Sequence, residues 1–252
     1  MNKLRIRGAG ALHQDDAYIV EVFDSTLPYL EAIGSGGMWG SRPFSEKEGF
    51  REQTAADVRA SERYRARGEG EALRIFIADA EVEPSSAAAA AAPLPLPSGS
   101  DDEPRRHAGL RYWTADDGAL LLSVGAAFVR DDWLPGHVKS QFHVDAIRAE
   151  LEGKEGFVYL DVLITDFRTG HERKGAGKAL VKQARDYGLE RGAKTLYLDA
   201  WAGNGRKLVK FYRNLGFSIV ADFGMKRANG TIWPGTLMRV GLEGSERNDE
   251  GH

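Results

Sequence analysis

Apolar residues along this chain follow two patterns, short unbroken runs and runs spaced every three or four positions. The unbroken runs read as strands, and those with successive apolar side chains read as strands buried on both faces. They fall at Leu4–Arg7, Leu73–Ala78, Leu120–Val129, Phe157–Ile164, Thr195–Trp201, Phe217–Phe223 and Thr236–Leu242. The spaced runs predict helices. Ile19, Val22, Phe23 and Leu30 define one, with Asp15 or Asp16 as its expected cap and Pro28 expected to kink or split it. Ser45 and Glu48 have capping-box spacing and predict a second helix running to Arg67, with a loop from Gly34 to Pro43 before it. Lys178–Glu190 reads as a third. Leu208, Phe211, Tyr212 and Leu215 form one face of a fourth, closed by Gly216 as its C-terminal cap. Phe142, Ala146 and Ile147 give Trp133–Glu150 partial helical character, without an evident role.

Two stretches fit neither pattern. Residues 83–108 combine an alanine run with Pro93, Pro95, Pro97, serine, glycine and mixed charge, and bury too little apolar surface to order themselves. They are expected to be a disordered insertion. A flexible tail is expected at 246–252. The remaining elements suit a single α/β (α+β) domain over 1–245.

Composition narrows the function. With 42% apolar residues among 252, the chain can build a sizeable core. A net charge of −3 with both signs mixed gives no footprint for nucleic acid or for an acidic membrane surface. No apolar run has signal-peptide or membrane-spanning length, so a cytoplasmic location is the expectation. Having no cysteine removes disulfides and a cysteine acyl-enzyme, and the six histidines lack metal-ligand spacing, so no metal is expected.

The chemistry concentrates where a strand meets a helix. Arg173, Lys174, Gly175, Ala176, Gly177 and Lys178 lie between the Phe157 strand and the Lys178 helix. Glycines there let the chain curl around a phosphate, and the helix N-terminus supplies N–H donors and a positive dipole end. A glycine pair alone is more often a plain turn. The sequence after it adds weight: a buried strand, then a helix ending in Phe211-Tyr212 with Gly216-Phe217 beyond, then further strands.

This order over Phe157–Leu242 resembles the GNAT superfamily of acyl-coenzyme A N-acyltransferases. The resemblance implies a mixed, mostly antiparallel central sheet flanked by helices, and acetyl-CoA as cosubstrate. It maps pyrophosphate binding onto Arg173–Lys178 and the pantetheine arm onto Leu163 and Ile164. Tyr212 takes the position of the general acid. A thiolate has a reference pKa of about 8.5 and a tyrosine hydroxyl about 10, so a positioned phenol can protonate the departing sulfur. An amine acceptor arrives protonated and needs a base, for which Asp161 ranks ahead of Asp199. Asn204 resembles the asparagine that relatives place before the tyrosine helix. Glu172 departs from the pattern, since an Arg or Gln usually stands there, and the loop after Ile164 is longer than is common. Asn204 also lies one residue farther from Tyr212 than usual, which puts Gly205 in contention.

The acceptor pocket is expected to involve Met38 and Trp39, with Trp201 and Trp233, because ring faces attract ammonium groups. The same aromatics also suit a core. The function implied is acetyl transfer to a primary amine of a small molecule by direct attack in a ternary complex, and a homodimer is compatible with it. The alternatives are a protein N-acetyltransferase and a non-catalytic acyl-CoA sensor. A Rossmann site would need glycine where Leu180 stands, and a serine-hydrolase elbow is absent. His137 and His143 read as surface residues.

Overall fold

The computed structural model describes residues 3–83, 109–227 and 230–242, so the expected insertion from residue 84 onward and the expected tail lie outside the described residues. Among the described residues there are eight strands: β1 (Leu4–Gly8), β2 (Leu73–Glu81), β3 (Tyr112–Thr114), β4 (Leu120–Asp131), β5 (Phe157–Thr165), β6 (Thr195–Trp201), β7 (Ser218–Lys226) and β8 (Ile232–Gly241). The helices among the described residues are α1 (Asp15–Ala32), α2 (Phe50–Arg67), α3 (Gly136–Lys139), α4 (Asp145–Leu151), α5 (Ala176–Glu190) and α6 (Gly203–Asn214). Hydrogen bonding orders the strands β1-β2-β4-β5-β6-β8-β7, with β3 on β4. The chain divides into two compact units, residues 1–128 with 162–181, and 129–161 with 182–252.

In the first unit β1 runs antiparallel to β2, from Leu4 opposite Ala80 to Gly8 opposite Phe76. The apolar face of α1 (Tyr18, Ile19, Val22, Phe23, Leu27) packs with Leu73, Ile75 and Ile77 of β2 and with Ile164. That packing explains why Pro28 does not split α1. A proline in a helix interior costs about 3 kcal/mol, and each fully buried large apolar side chain returns roughly 1.5–3 kcal/mol, so the buried face outweighs it.

Neither predicted cap forms. Gln14, in the left-handed region at φ 53°, precedes α1. Asp15 lies inside the helix, where its carboxylate accepts two N–H groups of Arg7 at 2.6 and 2.9 Å and the Gly10 amide at 2.8 Å. Ser45 sits in the 3-10 turn Phe44–Glu46, and Gly49 at φ 73° leads into α2 five residues after the predicted start. The Asp24 carboxylate accepts the Phe44 and Ser45 amides, and this long-range contact displaces the local box.

In the second unit β8 pairs antiparallel with both β6 and β7, and a bulge at Ile219/Ala221 interrupts the β7 ladder. The parallel β5–β6 ladder spans Phe157–Tyr159 opposite Thr195–Tyr197. The segment that had no role in the sequence reading becomes α3 and α4. Its Leu134, Val138, Ile147 and Leu151 pack with Phe157, Tyr159, Tyr197, Phe223 and Leu237. Among the described residues no helix is long and apolar enough to cross a membrane.

Candidate active site

The glycine loop lies in the first unit. After β5, the Asp166 side chain accepts the Arg168 amide at 3.0 Å and is gripped by the Arg168 guanidinium, with Nη2–Oδ2 at 2.7 Å. The chain continues as a 3-10 turn, Phe167–Arg173, broken at Gly170. Gly175 adopts φ 93°, a conformation that strains any residue with a Cβ. Helix α5 starts at the next residue, and its first helical hydrogen bond here runs from the Ala179 amide to the Gly175 carbonyl at 2.9 Å. The amides of Ala176, Gly177 and Lys178 precede any acceptor within the helix, so they are available to an anion at the positive end of the dipole. Lys174 and Lys178 are exposed beside them.

Arg173 is placed differently from a free phosphate ligand. Its guanidinium lies 4.1 Å over the Phe167 ring, which stacks on Tyr29 at 3.7 Å, and its buried Nε has no hydrogen-bond partner. Glu172, the unexpected anion, pairs with His171 Nε2 at 3.0 Å. Leu163 and Ile164 lie beyond the residues of β5 that pair with β6. Ile164 is buried, and its carbonyl would lie 2.7 Å from a Cβ at Gly125, so β4 needs a glycine there.

The second unit holds a cluster of ionisable groups. Asp199 on β6 accepts the Tyr159 hydroxyl of β5 at 2.5 Å, and the same oxygen faces His137 Nε2 at 3.1 Å. Asp161 on β5 pairs with Arg130 Nε of β4 at 3.1 Å, and that guanidinium lies 4.7 Å over the Trp133 ring. Burial pushes the Asp161 carboxyl up, opposed by Arg130 and reinforced by the charge of Asp199. Burial works against a charged His137, but the hydrogen bond and charge of Asp199, with Asp161 behind it, raise its pKa overall. Tyr159 and Tyr212 are both pushed above the usual phenol range, first by burial and then by Asp199.

Tyr212 is 5% exposed and packs by ring contacts against Phe211 and Phe217. Among the described residues its hydroxyl has no hydrogen-bond partner. It therefore serves the core through its ring while its O–H remains unengaged. Asn204 stands on a left-handed turn with Gly205 and Arg206, φ 48°, 63° and 61°, ahead of the regular part of α6.

The expected acceptor residues divide between the units. In the first, Trp39 packs against Phe23 and Phe44 at 5.3 and 5.5 Å, and the Met38 amide closes a turn onto the Ser35 carbonyl. In the second, the Trp233 ring lies 6.4 Å from His137, and Trp201 is buried with no partner for its Nε1. Arg130, His137 and Tyr159 are cluster members that sequence reading missed. Tyr159 was visible only as an apolar strand residue, and His137 comes from the segment that had no role.

A mixed, mostly antiparallel sheet flanked by helices, with a glycine-led helix after a central strand, defines the acyltransferase class that the sequence resembled. Residues 100–217 match the family model for the acetyltransferase (GNAT) family, so that stretch is a GNAT-type N-acetyltransferase region. Acetyl transfer, with acetyl-CoA as cosubstrate, follows from that family. Among solved structures, a probable acetyltransferase from Staphylococcus epidermidis is 12% identical, with TM-score 0.51 and coverage of 95% of this chain and 99% of that one. An N-acetyltransferase from Staphylococcus aureus Mu50 is 13% identical, with TM-score 0.50 and coverage of 96% and 99%. Both likenesses are of fold. Among proteins of curated function none matches.

Proposed function

We propose that residues 1–245 act as one cytoplasmic acetyltransferase domain that moves the acetyl group of acetyl-CoA to a primary amine of a small molecule by direct attack in a ternary complex. The observation that carries this reading is the Asp199 carboxylate, which accepts the Tyr159 hydroxyl and faces His137, with the Trp233 ring 6.4 Å from that imidazole. Carboxylates with aromatic faces suit an ammonium ion, which gains from both.

Each element has a task in this reading. The amides of Ala176–Lys178 hold the diphosphate, and the backbone at Leu163 and Ile164 guides the pantetheine arm. Tyr212, with its unengaged hydroxyl, protonates the leaving sulfur. Asn204 borders the tyrosine helix, and Trp201 offers an indole N–H.

A panel of small primary amines and N-terminal peptides, assayed by thiol release from acetyl-CoA with mass detection of the product, tests the acceptor class. The expected result is N-acetylated small amine and no acetylated peptide. Turnover confined to peptides would overturn the small-molecule reading.

A further inference from the structure

The segment between β4 and β5 delivers one polar side chain to the cluster of the second unit. His137, on α3, meets Asp199 through Nε2 at 3.1 Å, and the oxygen it meets also accepts the Tyr159 hydroxyl. An ionised carboxylate has no hydrogen to give, so Nε2 is the donor, and a neutral ring then carries its lone pair on Nδ1. Among the described residues Nδ1 has no hydrogen-bond partner, and the His137 side chain is 34% exposed. The ring is thus fixed at one nitrogen by a carboxylate that a buried phenol holds in place, and open at the other.

The neighbouring groups are less suited to taking a proton. Asp161 is engaged by Arg130, and the Tyr159 hydroxyl is committed to Asp199. Among the described residues, the groups facing the imidazole besides the Trp233 ring of β8 are Asp199 of β6, whose oxygen Tyr159 of β5 shares, and Asp161 of β5 with Arg130 of β4 behind it.

We propose that His137 is the general base of the reaction, taking the first proton of the acceptor ammonium at Nδ1, with Asp199 and Tyr159 as positioning residues. This rests on the amine-acetylating reading above. The ammonium gives one proton to Nδ1, and the freed lone pair forms the N–C bond to the thioester carbonyl. As the C–S bond breaks, the sulfur takes the Tyr212 proton. The second amine proton, lost from the tetrahedral adduct, restores the phenol. The imidazolium then releases its proton to solvent, so each turnover yields one amide, one thiol and one net proton.

The test is kcat/KM against pH for the wild type, His137→Gln and Asp199→Asn, with calorimetry of acetyl-CoA binding and a melting curve for each. The wild type should rise along an acid limb. His137→Gln should lose that limb and ~10²-fold in kcat, the lower range for a general base, while binding acetyl-CoA as before. Asp199→Asn removes the anion that favours the imidazolium, so its limb should move to lower pH.

Wild-type turnover by His137→Gln, or lost turnover with the limb unchanged, overturns the base assignment and leaves the amine reading standing. If His137→Gln does not fold, an unmoved limb in Asp199→Asn overturns the assignment. A wild type that acetylates no amine overturns both.

Discussion

Gly203 lies directly against the indole of Trp201. A Cβ added at residue 203 would fall on Cζ2, Cε2 and Cη2 of that ring. Trp201 is 8% exposed, so the ring has little room to retreat. Gly203→Ala should destabilise the fold by about 1–3 kcal/mol, the range for overpacking a core. Urea denaturation checks the loss, and a shift in tryptophan emission checks that the indole moves.

Gly175 shapes the turn proposed as the coenzyme cradle. At φ 93° an alanine is strained by roughly 1–2 kcal/mol, and relief of that strain would turn the amides of α5 away from their present direction. Gly175→Ala is expected to weaken acetyl-CoA binding about tenfold or more, as 1.4 kcal/mol is tenfold in affinity. Calorimetry reads this directly, and unchanged affinity would remove the cradle assignment.

Tyr212→Phe keeps the ring among Phe211 and Phe217 and deletes only the hydroxyl. Stability should change little. Turnover should fall by ~10² or more if the phenol is the acid. Because burial raises this phenol above its ordinary value of 10.0, the wild-type rate should show no descending limb from Tyr212 below that pH. A pH–rate profile to pH 10 checks both statements.

His137 makes stability depend on pH in a definite sense. Its pKa in the folded chain lies above the ordinary 6.5, so the imidazolium is favoured by folding. The contribution is complete below pH 6.5 and is lost as pH rises through the raised value. The melting-temperature gap between wild type and His137→Gln should therefore be wider at pH 5.5 than at pH 9. For this part-buried pair, with the imidazole partly screened by solvent, the effect is on the order of 0.2–1 kcal/mol.

Arg206 occupies the left-handed region at φ 61° and holds Asp222 through two nitrogens at 2.8 and 2.9 Å. The backbone penalty of about 1–2 kcal/mol exceeds the ~0.2–1 kcal/mol of an exposed ion pair. Arg206→Gly loses both terms and should be neutral or slightly stabilising. Arg206→Ala keeps the strain and loses the pair, so it should be the less stable of the two in parallel melts.

Local signals were readable in the sequence. The Gly175–Lys178 loop, the Tyr212 face and the long strands each depend on residues close in the chain, where spacing and backbone freedom decide the outcome. Interactions across long separations were hidden. His137 meets an aspartate 62 positions away, and nothing in the residues around it announces that contact. Asp24 reaches Phe44 and Ser45 in the same way, which is why a correctly spaced capping box goes unused. The strand β3 was missed because it is three residues long and only partly buried, too short for any period to register.

The stack of Tyr29, Phe167 and Arg173 has a consequence for kinetics. Rings and guanidinium fix the loop before any ligand arrives, so its ordering is settled when the chain folds. If the loop takes the coenzyme as proposed, capture would resemble docking onto a finished surface, with a small entropic loss and an association rate set by encounter rather than by rearrangement.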